Sequence, residues 1–172
     1  MIEMKKSCAF TGHRPSGFVF GYHEQDERCL RLKRALFDKI TALAQTGTRI
    51  FYTGMAEGVD IWAAEAVLTL CRYFPDIELM AVLPFRGQRE TMKADYKTRY
   101  DRILEKASEQ ILICEKYTPG CYKARNYFLV EQSDALLAVY SQSNARSGTG
   151  QTVRRALAEG KEVHFIDPAE FC

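Results

Sequence analysis

Six short apolar runs recur along the chain, and between them the apolar positions open out to spacings of three and four. The runs SCAFTG (7–12), RIFYTG (49–54), ELMAVLP (78–84), QILIC (110–114), DALLAVY (134–140) and EVHFID (162–167) are rich in β-branched and aromatic residues and read as strands. The helical spacing predicts a first helix over 26–45, with Leu30, Leu32, Leu36, Phe37, Ile40, Leu43 and Ala44 on its apolar face and Gly47 as its stop. A second runs over 61–74 and ends before Pro75, burying Ala64, Val67, Leu68 and Cys71. Residues 85–109 are polar and predict a solvated helix or two helical pieces, with Met92, Tyr96, Tyr100, Ile103 and Leu104 as its few buried positions. Two further helices are predicted, one over 123–132 and one after the loop SQSNARSGTG, where Val153, Ala156 and Leu157 are apolar.

Several strands are continuous apolar runs rather than half-polar alternations, and they alternate with helices. That combination predicts an α/β fold: a mostly parallel sheet of about six strands, covered by helices on both faces. Right-handed crossovers then bring every strand-to-helix loop to the carboxyl edge of the sheet, where open α/β sheets bind ligands. At 172 residues and 47% hydrophobic, the chain suits a single domain over 1–172. The balance of 24 basic and 22 acidic residues gives no general attraction to nucleic acid. No apolar run approaches membrane-span length. The cysteines at 8, 29, 71, 114, 121 and 172 are scattered and form no C-x-x-C pair, and the three histidines lack ligand spacing. Cys8, Cys71 and Cys114 read as reduced core residues, the expected compartment is the cytosol, and no structural metal is expected.

Three glycine-bearing loops fall at the predicted ligand edge: Thr11 to Pro15, Thr53 to Asp60, and Ser147 to Gly150. Glycines such as Gly148 and Gly150 ease turns with positive φ and let a ligand approach the main chain. At a helix start, unpaired N–H groups and the positive end of the dipole attract phosphate or carboxylate. Arg14, Arg86, Arg125 and Arg146 lie on the same edge and supply planar donors for an anion. The familiar phosphate loops and the nucleophile elbow of α/β-hydrolases are absent. The first strand leads into TGHRP rather than G-x-G-x-x-G, no G-x-x-x-x-G-K-[ST] occurs, and no G-x-S-x-G elbow is present.

TGHRP after the first strand, GMAEGVDIWAAEAVL after the second, and SDALLAVY followed by SGTG together resemble the SLOG superfamily, and most closely its YpsA-like branch. That superfamily joins the Smf/DprA DNA-processing proteins and the Lonely-guy phosphoribohydrolases on a Rossmann-like, doubly wound fold. The resemblance covers nearly the whole chain and implies binding of nucleotides, nucleotide derivatives or nucleic acid at this edge. It places Gly12, Gly54, Gly58, Gly148 and Thr149 on backbone cradles, with Arg14 as an anion contact. Asp60 matches the acid of the superfamily's G-x-A-x-G-[IV]-D loop, and such an acid can also cap the following helix. His13, Phe85, Arg125, Ser147 and Gly150 complete the expected ligand set; Trp62 and Phe85 are the aromatic candidates for stacking on a base, with Trp62 also suited to the core.

One departure bears on chemistry. Lonely-guy enzymes carry G-G-x-G-T-x-x-E, whereas here the residue three beyond Thr149 is Thr152. A carboxylate is the natural group to activate water or stabilise an oxocarbenium-like centre. Without it, the first expectation is a domain that binds or senses a small nucleotide-like ligand, with no required cofactor and with room for a protein partner or a homodimer. The alternative is a nucleotide hydrolase or transferase using Glu57, Asp60 or Glu65 as its acid. Single-strand DNA binding ranks below both, because phosphate-tracking grooves carry clustered basic residues.

Overall fold

The computed structural model describes residues 4–172. Its strands are β1 (Lys6–Gly12), β2 (Thr48–Thr53), β3 (Glu78–Phe85), β4 (Glu109–Cys114), β5 (Ala135–Val139) and β6 (Glu162–Ile166). Its helices are α1 (Glu27–Gln45), α2 (Val59–Leu70), α3 (Ala94–Lys106), α4 (Cys121–Gln132) and α5 (Gly148–Ala158). All six strands are parallel, in the order β4-β3-β2-β1-β5-β6. This is the doubly wound α/β, Rossmann-like arrangement. From β1 the chain steps outwards to β4, then returns past β1 to start β5 on the other side. That reversal opens a crevice between the carboxyl ends of β1 and β5.

The two directions of winding put the helices on opposite faces. Helices α1, α2 and α3 pack in sequence over one face, and α4 packs beside α5 on the other. The first face holds the larger core, in which α1 buries Cys29, Leu32, Leu36, Ile40 and Ala44 at three- and four-residue intervals. The second is smaller, with Leu129 and Val130 of α4 and Val153 and Ala156 of α5 against Leu136 and Ala138. Burying each large aliphatic side chain contributes roughly 1.5 to 3 kcal/mol. Strand β5 lies between two neighbours and two helical layers, so all of ALLAV is buried, whereas the edge strand β4 has no fully buried residue.

Several boundaries differ from the sequence expectation, for local reasons. Asp26 is the N-cap of α1 and accepts from the Arg28 N–H at 2.9 Å, so the helix starts one residue later. Leu30 and Leu157 fall on solvent faces of α1 and α5 and are exposed. Helix α2 starts two residues early and breaks into turns after Leu70. The polar stretch 85–109 forms a short 3-10 turn at Gln88–Thr91 and then α3, which buries Tyr96, Tyr100 and Ile103. Helix α5 starts at Gly148, because the Ser147 hydroxyl accepts from the Gly150 N–H at 3.0 Å. SGTG is therefore a cap and a first helical turn, and neither Gly148 nor Gly150 has positive φ. Cys8 is fully buried, and burial pushes its thiol up to about 12, while Cys71 and Cys114 are only partly covered.

Candidate functional site

The end of β1 and the start of α2 approach so closely that a Cβ on Gly12 would lie 2.5 Å from Val59 Cγ2. Gly58, at φ 89°, occupies a backbone region that side chains rarely adopt, and a Cβ there would meet the His13 carbonyl oxygen at 2.9 Å. These two glycines lock the first loop onto the second, which fixes where His13 and Arg14 emerge. The second loop is closed by its own side chains. The Thr53 hydroxyl donates to the Asp60 carbonyl at 3.0 Å and accepts from the Met55 N–H at 3.3 Å, and Asp60 Oδ2 accepts from the Ala56 N–H at 3.2 Å. Met55, buried at φ 60°, is the one non-glycine residue with positive φ among the described residues.

Gly54 is the pivot of the site. Its carbonyl accepts from Gln88 Nε2 at 3.1 Å and from Arg125 Nη1. A Cβ on Gly54 would sit 2.5 Å from Arg125 Nη1 and 2.9 Å from Asp60 Oδ2. The missing side chain thus leaves room for a guanidinium and a carboxylate on the same side of Gly54. Arg125 Nε donates to Asn126 Oδ1 at 2.7 Å, and neither Arg125 nor Asp60 has an oppositely charged group within 4 Å among the described residues. Burial pushes the Asp60 carboxyl above the usual range, although Arg125 and the Ala56 N–H pull the other way; burial likewise lowers Arg125, which stays charged at any ordinary pH. Burial also lowers His13, which favours its neutral form.

These groups line a pocket of about 280 Å³ in the crevice between β1 and β5. Gly12, His13 and Arg14 form one wall, Asp60 and Arg125 a second, and the cap Ser147 with Gly148 and Thr149 of α5 a third. A smaller annex of about 60 Å³, bordered by Glu57 and Gln88, adjoins it through Arg14, Ala56 and Tyr122. The Arg14 guanidinium lies 4.9 Å from the centre of the Tyr122 ring and has no carboxylate partner among the described residues. Two unpaired guanidinium groups and a capped helix start therefore face one cavity, an arrangement suited to an anion.

Other expected residues lie elsewhere. Gly54 and Gly58 shape the site from behind it. Phe85 is buried against Tyr117 and Tyr122, and Trp62 is buried against Phe18 and Phe20, so neither offers a free face. Gly150 lies against the Ala145 carbonyl, where only a glycine fits. Glu57 accepts from Tyr22 Oη at 2.5 Å and from the Lys93 N–H at 2.8 Å, which confines it to the annex. Glu65 faces α3 and accepts from Arg99 Nε at 2.6 Å, outside the pocket. Arg86 pairs with Glu115 on the surface, and Arg146 is exposed and does not line the pocket. Thr152 is buried with its hydroxyl donating to the Gly148 carbonyl at 3.0 Å, so that position too lies behind the pocket. Tyr122 and Asn126 were not expected. Gly120, in the left-handed conformation, starts α4 two residues before the sequence suggested and turns Tyr122 into a wall of the site.

The family model described as the YspA SLOG family matches residues 8–171. The chain belongs to this family. It is similar to the UPF0398 protein YpsA of Bacillus subtilis (strain 168), with 28% identity over 167 residues covering 94% of this chain and 92% of the relative. A UPF0398 protein of Bacillus thuringiensis (strain Al Hakam) is 36% identical over 145 residues, covering 83% and 78%. Among solved structures, DNA processing protein A from Helicobacter pylori, which binds single-stranded DNA, superposes with a TM-score of 0.63 at 18% identity. The match covers 95% of this chain and 66% of that one, and establishes the SLOG member's fold. No helix of the described chain is long and apolar enough to cross a membrane.

Proposed function

We propose that this SLOG protein binds a nucleotide or nucleotide derivative through its phosphate, in the crevice between β1 and β5. The observation that carries the reading is the pair Arg14 and Arg125. Both line one pocket with the first turn of α5, and neither has a carboxylate partner among the described residues. Arg125 is buried and Arg14 is exposed; a buried charge without an ion-paired partner is costly, and an anion held between the two guanidinium groups meets it with charge-assisted hydrogen bonds. The pocket's volume lies at the low end for small-molecule sites, which suits a sugar phosphate with its base extending outwards. The role is binding or sensing. With Thr152 behind the pocket and Glu65 engaged by Arg99, Asp60 is the remaining carboxylate on the main cavity. The six unpaired cysteines support a reducing compartment such as the cytosol.

Calorimetry with a panel of nucleoside 5′-monophosphates tests the reading. Arg14→Ala should weaken binding about tenfold, or ~1.4 kcal/mol, without changing the fold. Equal affinity in the well-folded variant would remove Arg14 from the site. A second reading, single-strand DNA binding, draws on the structural likeness to DNA processing protein A and runs against the near-neutral charge of +2. Tight, steeply salt-dependent binding of an unstructured oligonucleotide would favour it over the mononucleotide reading.

A further inference from the structure

The pocket holds one charged group that a phosphate does not explain. Asp60 is 7% exposed, and only one of its oxygens is used: Oδ2 accepts from the Ala56 N–H, while Oδ1 accepts from no described residue. It shares the cavity with Arg14 and Arg125, yet forms no ion pair within 4 Å with either among the described residues; its Oδ2 and Arg125 Nη1 instead border the same open space over Gly54, where a Cβ would meet both. An acid that merely closed the second loop could lie wholly against the backbone. A carboxylate beside a phosphate site would repel the ligand, unless the ligand brings a donor to it.

We propose that Asp60 Oδ1 accepts a hydrogen bond from a sugar hydroxyl of the ligand, so that the pocket selects a hydroxyl-bearing phosphate monoester over bare phosphate or an alkyl phosphate. The inference rests on the phosphate reading above. Arg14, Arg125 and the N–H groups at the start of α5 take the phosphoryl oxygens, and Asp60 takes a hydroxyl on the adjoining ring. A hydroxyl fits better than an ammonium, since a ligand cation would become the third positive charge beside two arginines. A pentose 5-phosphate carries both groups at a separation that a pocket of about 280 Å³ can span.

The probes are ribose 5-phosphate, propyl phosphate and inorganic phosphate, titrated calorimetrically into the unaltered chain and into Asp60→Asn. In the unaltered chain ribose 5-phosphate should bind roughly tenfold or more tightly than propyl phosphate, as expected for a hydrogen bond to a charged group. In Asp60→Asn that preference should shrink to about threefold or less, while propyl phosphate binds as well or better because a negative charge has left the pocket. The asparagine oxygen can still accept from the Ala56 N–H, so the loop is retained. Equal affinity for ribose 5-phosphate and propyl phosphate in the unaltered chain would overturn the inference without any variant, and so would a preference that Asp60→Asn leaves intact. Failure of all three phosphates to bind would instead overturn the phosphate reading itself.

Discussion

Two arginines in this molecule are both largely withdrawn from solvent, and the protein treats them in opposite ways. Arg99, with its side chain 13% exposed, donates to Glu24 at 2.6 Å, to Glu65 at 2.6 Å and to Asp95 at 3.2 Å. Arg125, in a residue 5% exposed, hydrogen-bonds among the described residues to the Gly54 carbonyl and the Asn126 amide oxygen alone. Around Arg99, charge is met internally, and the result ties the loop before α1 to α2 and α3. Around Arg125, the hydrogen bonds go to neutral acceptors, and the Asp60 carboxylate acts on the charge only through space, beside the cavity. The difference separates an arginine that holds the fold together from one that the fold holds in readiness.

The comparison can be broken most directly at Arg99. Arg99→Ala leaves Glu24 and Glu65 without their shared cation, and removal of one partner from a largely buried network should cost about 3 kcal/mol of stability. Urea unfolding measures the loss, and mononucleotide affinity should be unchanged in the fraction that stays folded. Arg125→Met is expected to do the reverse. Stability should move by no more than about 1 kcal/mol, since relief from burying the guanidinium offsets the lost hydrogen bonds and the lost attraction to Asp60, while nucleotide binding should weaken about a hundredfold, or ~2.7 kcal/mol. A large loss of stability with affinity retained would place Arg125 alongside Arg99 as a purely structural residue.

Acid provides a smaller and more graded test. Burial raises the Glu24 carboxyl, but hydrogen bonds from Arg99 and Lys33 overcome that and hold it at about 2, against an ordinary value of 4.5. The associated stability is therefore present above pH 4.5 and lost as the pH falls towards 2, amounting to about 2 kcal/mol after allowance for solvent screening. In Arg99→Ala this part of the acid dependence should flatten. An unchanged profile would show that other carboxylates dominate acid unfolding.

Much of the fold was legible because its signals are local. Runs such as ALLAV can be satisfied only inside a sheet covered on both sides, and the resulting loop positions brought Gly12, His13, Arg14, Asp60, Arg125 and the Ser147–Thr149 segment to one edge. What was not legible depends on distant or subtle partners. Glu65 looked available until Arg99, 34 residues away, occupied it. Gly148 and Gly150 suggested a flexible loop, but one hydroxyl at Ser147 converts the segment into a helix start. Tyr122 carried no motif at all; only the turn at Gly120 decides that it faces the site. Leu30 and Leu157 were counted on the apolar faces and still face solvent, each lying one position past a buried residue, Cys29 and Ala156.

The packing of Trp62 has a practical consequence. It is the only tryptophan in the chain, and it lies with Phe18 and Phe20 at ring-centre distances of 5.8 and 6.4 Å. Those phenylalanines follow Arg14 in the same loop, and Phe18 also meets the His13 ring edge-on at 5.8 Å. The indole is thus an intrinsic optical reporter under the segment that carries the anion contact. A shift of that segment on ligand capture would change the polarity and quenching around a single emitter, so the protein's own fluorescence can follow occupancy of the crevice without a label.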